Sequence, residues 1–159
     1  MTRVVIVSHS QGTVITADLL RYLAYRGRRG DDSRAAVLGQ WLEEIEVHLF
    51  TAGSPLRQLY AARFPDLYRW VLDGPELREL GVDKWTNVFT AGDYVGRWIW
   101  QPKPEGAQRE PAFYEPGAVA LDDPPRKEIC IGGGAHTHYF DPDPGSDVVA
   151  RCIDELIRP

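Results

Sequence analysis

The chain has few cysteines, few clustered basic residues and no long apolar run, and each absence narrows the class of protein. Its only cysteines, Cys130 and Cys152, can form at most one bridge, which excludes the disulfide framework of small secreted domains. No apolar run approaches the ~20 residues of a membrane-spanning helix. Residues 4–7 are apolar, but four residues are too short for the core of a signal peptide. We therefore expect a cytoplasmic protein without a transmembrane segment.

Charge and length exclude further classes. The formal net charge is −5, and the densest basic stretch is the short segment 26–29. Nucleic-acid binding requires a concentrated basic face, so we expect no nucleic-acid partner. Hydrophobic residues make up 43% of the 159-residue chain, which is typical of a globular protein and sufficient for a buried core. Residues 1–159 are therefore treated as a single domain.

Short apolar runs alternate with stretches of helical spacing along the chain. The apolar runs predict strands at residues 3–8, 46–51, 85–91 and 128–131. The helical periodicity predicts helices at residues 11–26, 35–45, 56–64 and 147–157. Such alternation is typical of an α/β fold, in which a parallel sheet is flanked by helices. We expect the four strands to lie side by side in chain order.

Residues 101–126 do not follow this alternation. They contain six prolines and few aliphatic residues, and they show no clear period. We predict a long proline-rich excursion at the surface of the domain. Loops of this length within compact domains often serve a function.

The pentapeptide Ser-His-Ser-Gln-Gly, residues 8–12, lies between the first predicted strand and the first predicted helix. A sharp strand-to-helix turn requires small residues two positions before and after its central serine, and Ser8 and Gly12 satisfy this. The strained turn would expose the Ser10 hydroxyl at a helix N-terminus, where the Gln11 N–H can donate to an oxyanion. We expect the side chain of His9 to point away from this site.

Residues 7–15, Val-Ser-His-Ser-Gln-Gly-Thr-Val-Ile, resemble the nucleophile elbow of lipase-like and esterase-like members of the α/β-hydrolase superfamily. Ser8 stands where glycine is most common. The resemblance implies a serine hydrolase without cofactor or metal, acting on a small-molecule or lipid-like carboxylic ester with Ser10 as nucleophile. It also implies a truncated fold, because family members carry further N-terminal strands and a second oxyanion donor before the elbow.

The resemblance extends to the other two members of a Ser-Asp-His triad. Residues 90–96 resemble the acid-bearing loop of the family and imply Asp93 as the acid, although Gly-Asp is also ordinary turn chemistry. The base is expected in the loop at residues 132–140, where the local pattern favours His136, with His138 as the alternative. His48 lies mid-strand and is expected to be structural.

Three further expectations follow. The His136–His138 pair lacks additional ligands, so we expect no metal site. Tyr94 and Trp98 either line an apolar acyl pocket or pack in the core. The strand at residues 3–8 would have a bare edge, through which two chains can associate. The alternative to an esterase is therefore a weakly active or inactive remnant that serves as an interaction module.

Overall fold

Strands and helices alternate in the computed structural model, which describes residues 2–30, 33–74, 77–100, 118–141 and 144–158. The elements are β1 (Arg3–His9), α1 (Gln11–Arg29), α2 (Arg34–Glu43), β2 (Glu46–Ala52), a π-helical turn (Leu56–Ala61), α3 (Pro65–Asp73), a 3₁₀ turn (Leu77–Leu80), β3 (Lys84–Phe89), β4 (Ala118–Asp123), β5 (Arg126–Cys130) and α4 (Pro144–Ile157). None of the helices in these ranges is long and apolar enough to cross a membrane.

The five strands form one mixed sheet in the order β1-β2-β3-β5-β4. The first four of these in space are parallel, with Arg3 opposite Glu46 and Trp85 opposite Arg126, whereas β4 is antiparallel to β5. The α/β class is therefore confirmed, as is the spatial order of the four predicted strands. Because those strands are parallel, their carboxyl ends meet at one edge of the sheet, where α/β proteins gather their sites.

The predicted excursion at residues 101–126 is wrong for its last part. Residues 118–123 form β4, and a two-residue turn at Pro124 and Pro125 leads into β5. An edge strand of six residues flanked by prolines and ending in two aspartates carries too short an apolar pattern to be recognised. Residues 101–117 lie outside the described residues.

Helix α1 runs three residues past its predicted end at residue 26, and it includes Gly27. A Cβ atom on Gly27 would lie 2.6 Å from the carbonyl carbon of Gly39, so this glycine permits close packing of α1 against α2. The helix ends at Gly30, whose φ of 62° is left-handed and whose N–H donates to the carbonyls of Arg26 and Gly27. Helix α3 was not predicted; it begins at Pro65, a residue suited to a first helical turn.

Apolar side chains fill both faces of the sheet. Because side chains alternate along a strand, Leu49 and Phe50 of β2 belong to different clusters. The first cluster joins β2 and β3 to α1 and α3, and the second joins the sheet to α4. Helices therefore cover both faces, and the carboxyl edge of the strands carries the polar loops.

Candidate active site

Ser10 occupies a strained turn between β1 and α1. Among described residues other than glycine, Ser10 alone has a positive φ, with φ 54° and ψ −132°. Its N–H donates to the carbonyl of Ala52 at 3.0 Å, and its own carbonyl accepts from the N–H and the hydroxyl of Thr13. A Cβ atom on Gly12 would lie 3.9 Å from the Ser8 Cβ, so the two small residues do face each other across the turn. Backbone strain of this kind is concentrated at functional sites.

Two successive hydrogen bonds connect Ser10 to His136 and His136 to Asp93, and the two partners lie in loops after two other strands. The Nε2 atom of His136, in the loop after β5, lies 2.6 Å from Ser10 Oγ. The Nδ1 atom of His136 lies 2.8 Å from Oδ2 of Asp93, in the loop after β3. The structure thus brings together the three residues that the sequence predicted as a triad.

Asp93 is fully buried and accepts four hydrogen bonds. Oδ1 accepts from the N–H groups of Val95 and Gly96 at 2.8 and 2.9 Å, and Oδ2 accepts from His136 and from the Tyr139 hydroxyl, both at 2.8 Å. Burial raises the pKa of Asp93, but the bonds from Gly96, His136, Tyr139 and Val95 outweigh it and hold the pKa below its usual value. Asp93 is therefore a carboxylate at neutral pH.

The charge of Asp93 sets the tautomer of His136. A carboxylate oxygen only accepts hydrogen bonds, so the Nδ1 atom of His136 must carry the proton of this bond. The Nε2 atom of a neutral His136 then presents a lone pair to the Ser10 hydroxyl. This is the arrangement that a general base requires.

Close backbone approaches hold the acid loop against the end of β2. A Cβ atom on Gly96 would lie 2.0 Å from the carbonyl carbon of Gly53, and a Cβ on Gly53 would lie 2.6 Å from the Tyr139 ring. Tyr139 is fully buried, and its hydroxyl also accepts from the Thr90 N–H at 3.1 Å. Tyr139 was not a predicted site residue, although it follows His136 by three residues in the local pattern that favoured His136.

The expectation that His9 points away from the site is wrong. Its Nε2 atom lies 3.1 Å from the carbonyl oxygen of His136, and the two imidazole rings stack with centroids 5.1 Å apart. Side chains alternate in direction along a strand, which would point His9 and the adjacent Ser10 to opposite sides. That alternation ends at Ser10, whose positive φ turns the chain away from the strand direction.

The two other histidines take no part in the hydrogen bonds between Ser10, His136 and Asp93. His138 is about half exposed; its Nε2 lies 3.9 Å from Asp141, and its Nδ1 accepts from the Ala135 N–H. His48 is buried, with Nδ1 2.9 Å from the carbonyl of Leu156 and Nε2 2.7 Å from Glu46. The predicted structural role of His48 is confirmed, and of the two loop histidines only His136 contacts Ser10 and Asp93.

Gln11 is the first residue of α1, where backbone N–H groups have no partner within the helix. Its N–H therefore remains the predicted oxyanion donor. The Gln11 side chain donates to the Tyr60 hydroxyl at 3.2 Å, which brings the π-helical turn next to the elbow. Tyr60 was not among the predicted site residues.

The two residues predicted to bind substrate have different surroundings. Tyr94 lies in the acid loop and is 85% exposed, whereas Trp98 packs edge-on against Phe89. A concavity of about 590 Å³ lies elsewhere, lined by residues that include Arg28, Glu43 and Asp83, and neither aromatic residue borders it. An acyl-pocket role for Tyr94 and Trp98 thus remains a prediction, and Trp98 also fits the core-packing alternative.

Comparisons of the chain with protein-family models, with curated proteins and with solved structures gave no match. No cluster of three or more His, Cys, Asp or Glu side chains suited to a metal ion occurs within the described part of the chain. The site is therefore interpreted from its own geometry.

Proposed function

We propose that this protein is a serine hydrolase that cleaves carboxylic esters through Ser10, His136 and Asp93. The observation that carries the proposal is the continuous pair of hydrogen bonds, 2.6 Å from Ser10 to His136 and 2.8 Å from His136 to Asp93. A nucleophile bonded to a base, and a base oriented by a third group, is the general signature of an activated serine. A serine in a strained turn without these two hydrogen bonds would not support the proposal.

Each residue has a defined step in the proposed reaction. The Oγ atom of Ser10 attacks the ester carbonyl carbon while its proton moves to Nε2 of His136. Asp93 stabilises the imidazolium that forms, and the Gln11 N–H donates to the oxyanion of the tetrahedral intermediate. The C–O bond to the alcohol then breaks, and His136 returns the proton to the departing oxygen. Water repeats these steps on the acyl-enzyme to release the acid.

We also propose kinship with the lipase-like and esterase-like α/β-hydrolases. In that scheme β1 is the nucleophile strand, β3 precedes the acid loop and β5 precedes the histidine loop. Support comes from the order Ser, Asp, His along the chain and from the strand-turn-helix context of the elbow, which a chance pentapeptide would lack. The substrate would be a small-molecule or lipid-like ester.

Labelling with a fluorophosphonate probe tests the proposal most directly. Wild-type protein should be labelled at Ser10 and should hydrolyse p-nitrophenyl esters, and Ser10→Ala should abolish both, with a loss of ~10⁴ or more in turnover. Ser8→Ala is the matched control, because the Ser8 hydroxyl has no hydrogen-bond partner among the described residues. Undiminished hydrolysis by Ser10→Ala would overturn the mechanism. A series of acyl chain lengths would define the substrate class.

One observation favours a second candidate function, an interaction module. Within the described residues β1 is hydrogen-bonded to β2 alone, and Val7 on β1 is 45% exposed. Ile15 and Leu19 on α1 are also exposed apolar residues. An unpaired strand edge offers a row of N–H and C=O groups to another strand. As this alternative, we propose that β1 pairs with β1 of a second copy.

Sedimentation velocity over a range of concentrations tests this alternative. Val7→Lys places a charge on the edge strand β1 and should shift the protein towards monomer. Val37→Lys, on an exposed part of α2, is the matched control and should leave association unchanged. A wild-type protein that remains monomeric at every concentration would exclude self-association. Association without fluorophosphonate labelling would favour the interaction module over the esterase.

A further inference from the structure

We propose that His9 is a positioning residue that holds His136 against the nucleophile. The inference rests on the proposed function for its catalytic consequence, but its geometry can be tested without any substrate. His9 has two contacts with His136, one to its backbone and one to its ring.

The backbone contact has a defined donor. The carbonyl oxygen of His136 can only accept a hydrogen bond, so the Nε2 atom of His9, 3.1 Å away, must carry the proton. This bond spans 127 residues of sequence and joins the end of β1 to the loop after β5. Together with the bond between Ser10 and His136, it ties the end of β1 to a loop that lies far from it in sequence.

The ring contact restrains the side chain of His136. The two imidazoles are stacked with an interplanar angle of 29°, and Tyr139 and Phe140 lie at 5.5 and 5.8 Å from the His9 ring. His136 is about one-quarter exposed, so the His9 ring covers part of a side chain that otherwise faces solvent. Rotation of His136 away from Ser10 would break this stacking.

Asp93 holds the ring of His136 through Nδ1, and two further contacts fix the histidine loop on either side of His136. Thr90 Oγ1 donates to the carbonyl of Gly134 at 2.7 Å, and the Tyr139 hydroxyl is bonded to Asp93. His9 holds the main chain of His136 itself, and it is covalently adjacent to Ser10. Because His9 is bonded to both residues, His136 should move together with Ser10, and the 2.6 Å contact between them is kept.

Three substitutions separate the two contacts. His9→Gln keeps an N–H donor at a similar distance from the backbone but removes the ring, His9→Phe keeps a ring but removes the donor, and His9→Ala removes both. We expect His9→Ala to lower kcat by about tenfold to a hundredfold with little change in KM, because small misplacements of reacting groups have effects of this size. His9→Gln should restore most of the loss. His138→Gln, the same exchange at an exposed position of the same loop, should stay within about twofold of wild type.

A substrate-free measurement distinguishes this inference from the proposed function. The proton on Nδ1 of His136, bonded to Asp93, should give a far-downfield ¹H resonance. We expect His9→Ala to broaden this resonance through faster exchange with water, and His9→Gln to restore it. A sharp resonance and an unchanged kcat in His9→Ala would overturn the positioning role. A broadened resonance in a protein that no fluorophosphonate labels would uphold the positioning role and overturn the esterase.

Discussion

Two buried carboxyl groups at different places in the sheet have opposite pKa shifts. Asp93 lies at the carboxyl edge and Glu128 lies within β5, and both are fully buried. The pKa of Asp93 is lowered, whereas the pKa of Glu128 is raised to about 8. Burial alone therefore does not decide the charge of a carboxyl group in this protein.

Depth of burial and hydrogen-bond donors together account for the difference, because Glu128 lies deeper in the protein than Asp93. Burial raises the pKa of Glu128, and the bonds from the Ile99 N–H, the Asn87 amide and the Trp100 N–H do not offset it. Asp93 accepts two backbone bonds as well, but its other oxygen faces a hydroxyl and an imidazole. Four hydrogen bonds to Asp93, from Gly96, His136, Tyr139 and Val95, lower its pKa, and together they outweigh its burial.

The two groups thus have different roles. Glu128 accepts hydrogen bonds from the backbone at residues 99–100 and so fixes the position of the segment that follows the acid loop. In the proposed mechanism Asp93 orients the base. Substitutions at the two carboxyls and at their donors should separate an effect on chemistry from an effect on stability.

Among substitutions at the two carboxyls and at their donors, the largest expected effect is that of Asp93→Asn. The Asn Oδ1 would keep the two backbone N–H donors, which turns the amide NH₂ towards His136 and forces the other imidazole tautomer. The Nε2 atom of His136 would then carry a proton and could not accept one from Ser10. We expect kcat to fall on the order of 10⁴-fold.

Single-turnover hydrolysis of a p-nitrophenyl ester measures this loss, and near-UV circular dichroism checks that Asp93→Asn is folded. A folded variant with undiminished turnover would show that Asp93 does not orient the base.

A smaller effect is expected from Tyr139→Phe. The substitution removes one of the two donors to Oδ2 of Asp93 and leaves the Thr90 N–H without its acceptor. We expect turnover to fall about tenfold, far less than for Asp93→Asn, because His136 keeps its bond to the carboxylate. Unfolding in urea should show a loss of about 1–3 kcal/mol for the buried unsatisfied N–H. Unchanged stability would show that this hydroxyl is dispensable.

The smallest effect on activity is expected from Glu128→Gln. This substitution should instead change how the free energy of unfolding depends on pH. Unfolded Glu128 has an ordinary pKa of 4.5, and the folded value is about 8. Between these values the folded protein keeps a proton that the unfolded chain has lost, so the free energy of unfolding falls as pH rises from 4.5 to about 8. Glutamine does not titrate, and this fall should disappear.

Urea unfolding at about pH 5, 7 and 9 measures the difference between Glu128→Gln and wild type. The same slope in both proteins would contradict a raised pKa at Glu128. Asp93 does not contribute in this range, because its lowered pKa gives stability that is lost only as pH falls below 3.8.

Local features of the site could be predicted because their causes lie within a few residues. Small residues at Ser8 and Gly12 and the change from apolar run to helical period place the Ser10 turn. The choice of His136 over His138 came from a resemblance, and it agrees with the observed contacts. Helix α3 and strand β4 were missed because a short amphipathic helix and an edge strand have weak periodic signals.

The sequence by itself determined the alternation of strands and helices and the turn at Ser10, since both depend on local periodicity and on residue size. The assignment of Asp93 and His136 as its partners came from the resemblance. Only the tertiary structure decided which side chains meet. His9 contacts a residue 127 positions away, and Glu128 and Asn87 are 41 positions apart. Contacts at such separations depend on the register and packing of several elements at once, and no local pattern encodes them.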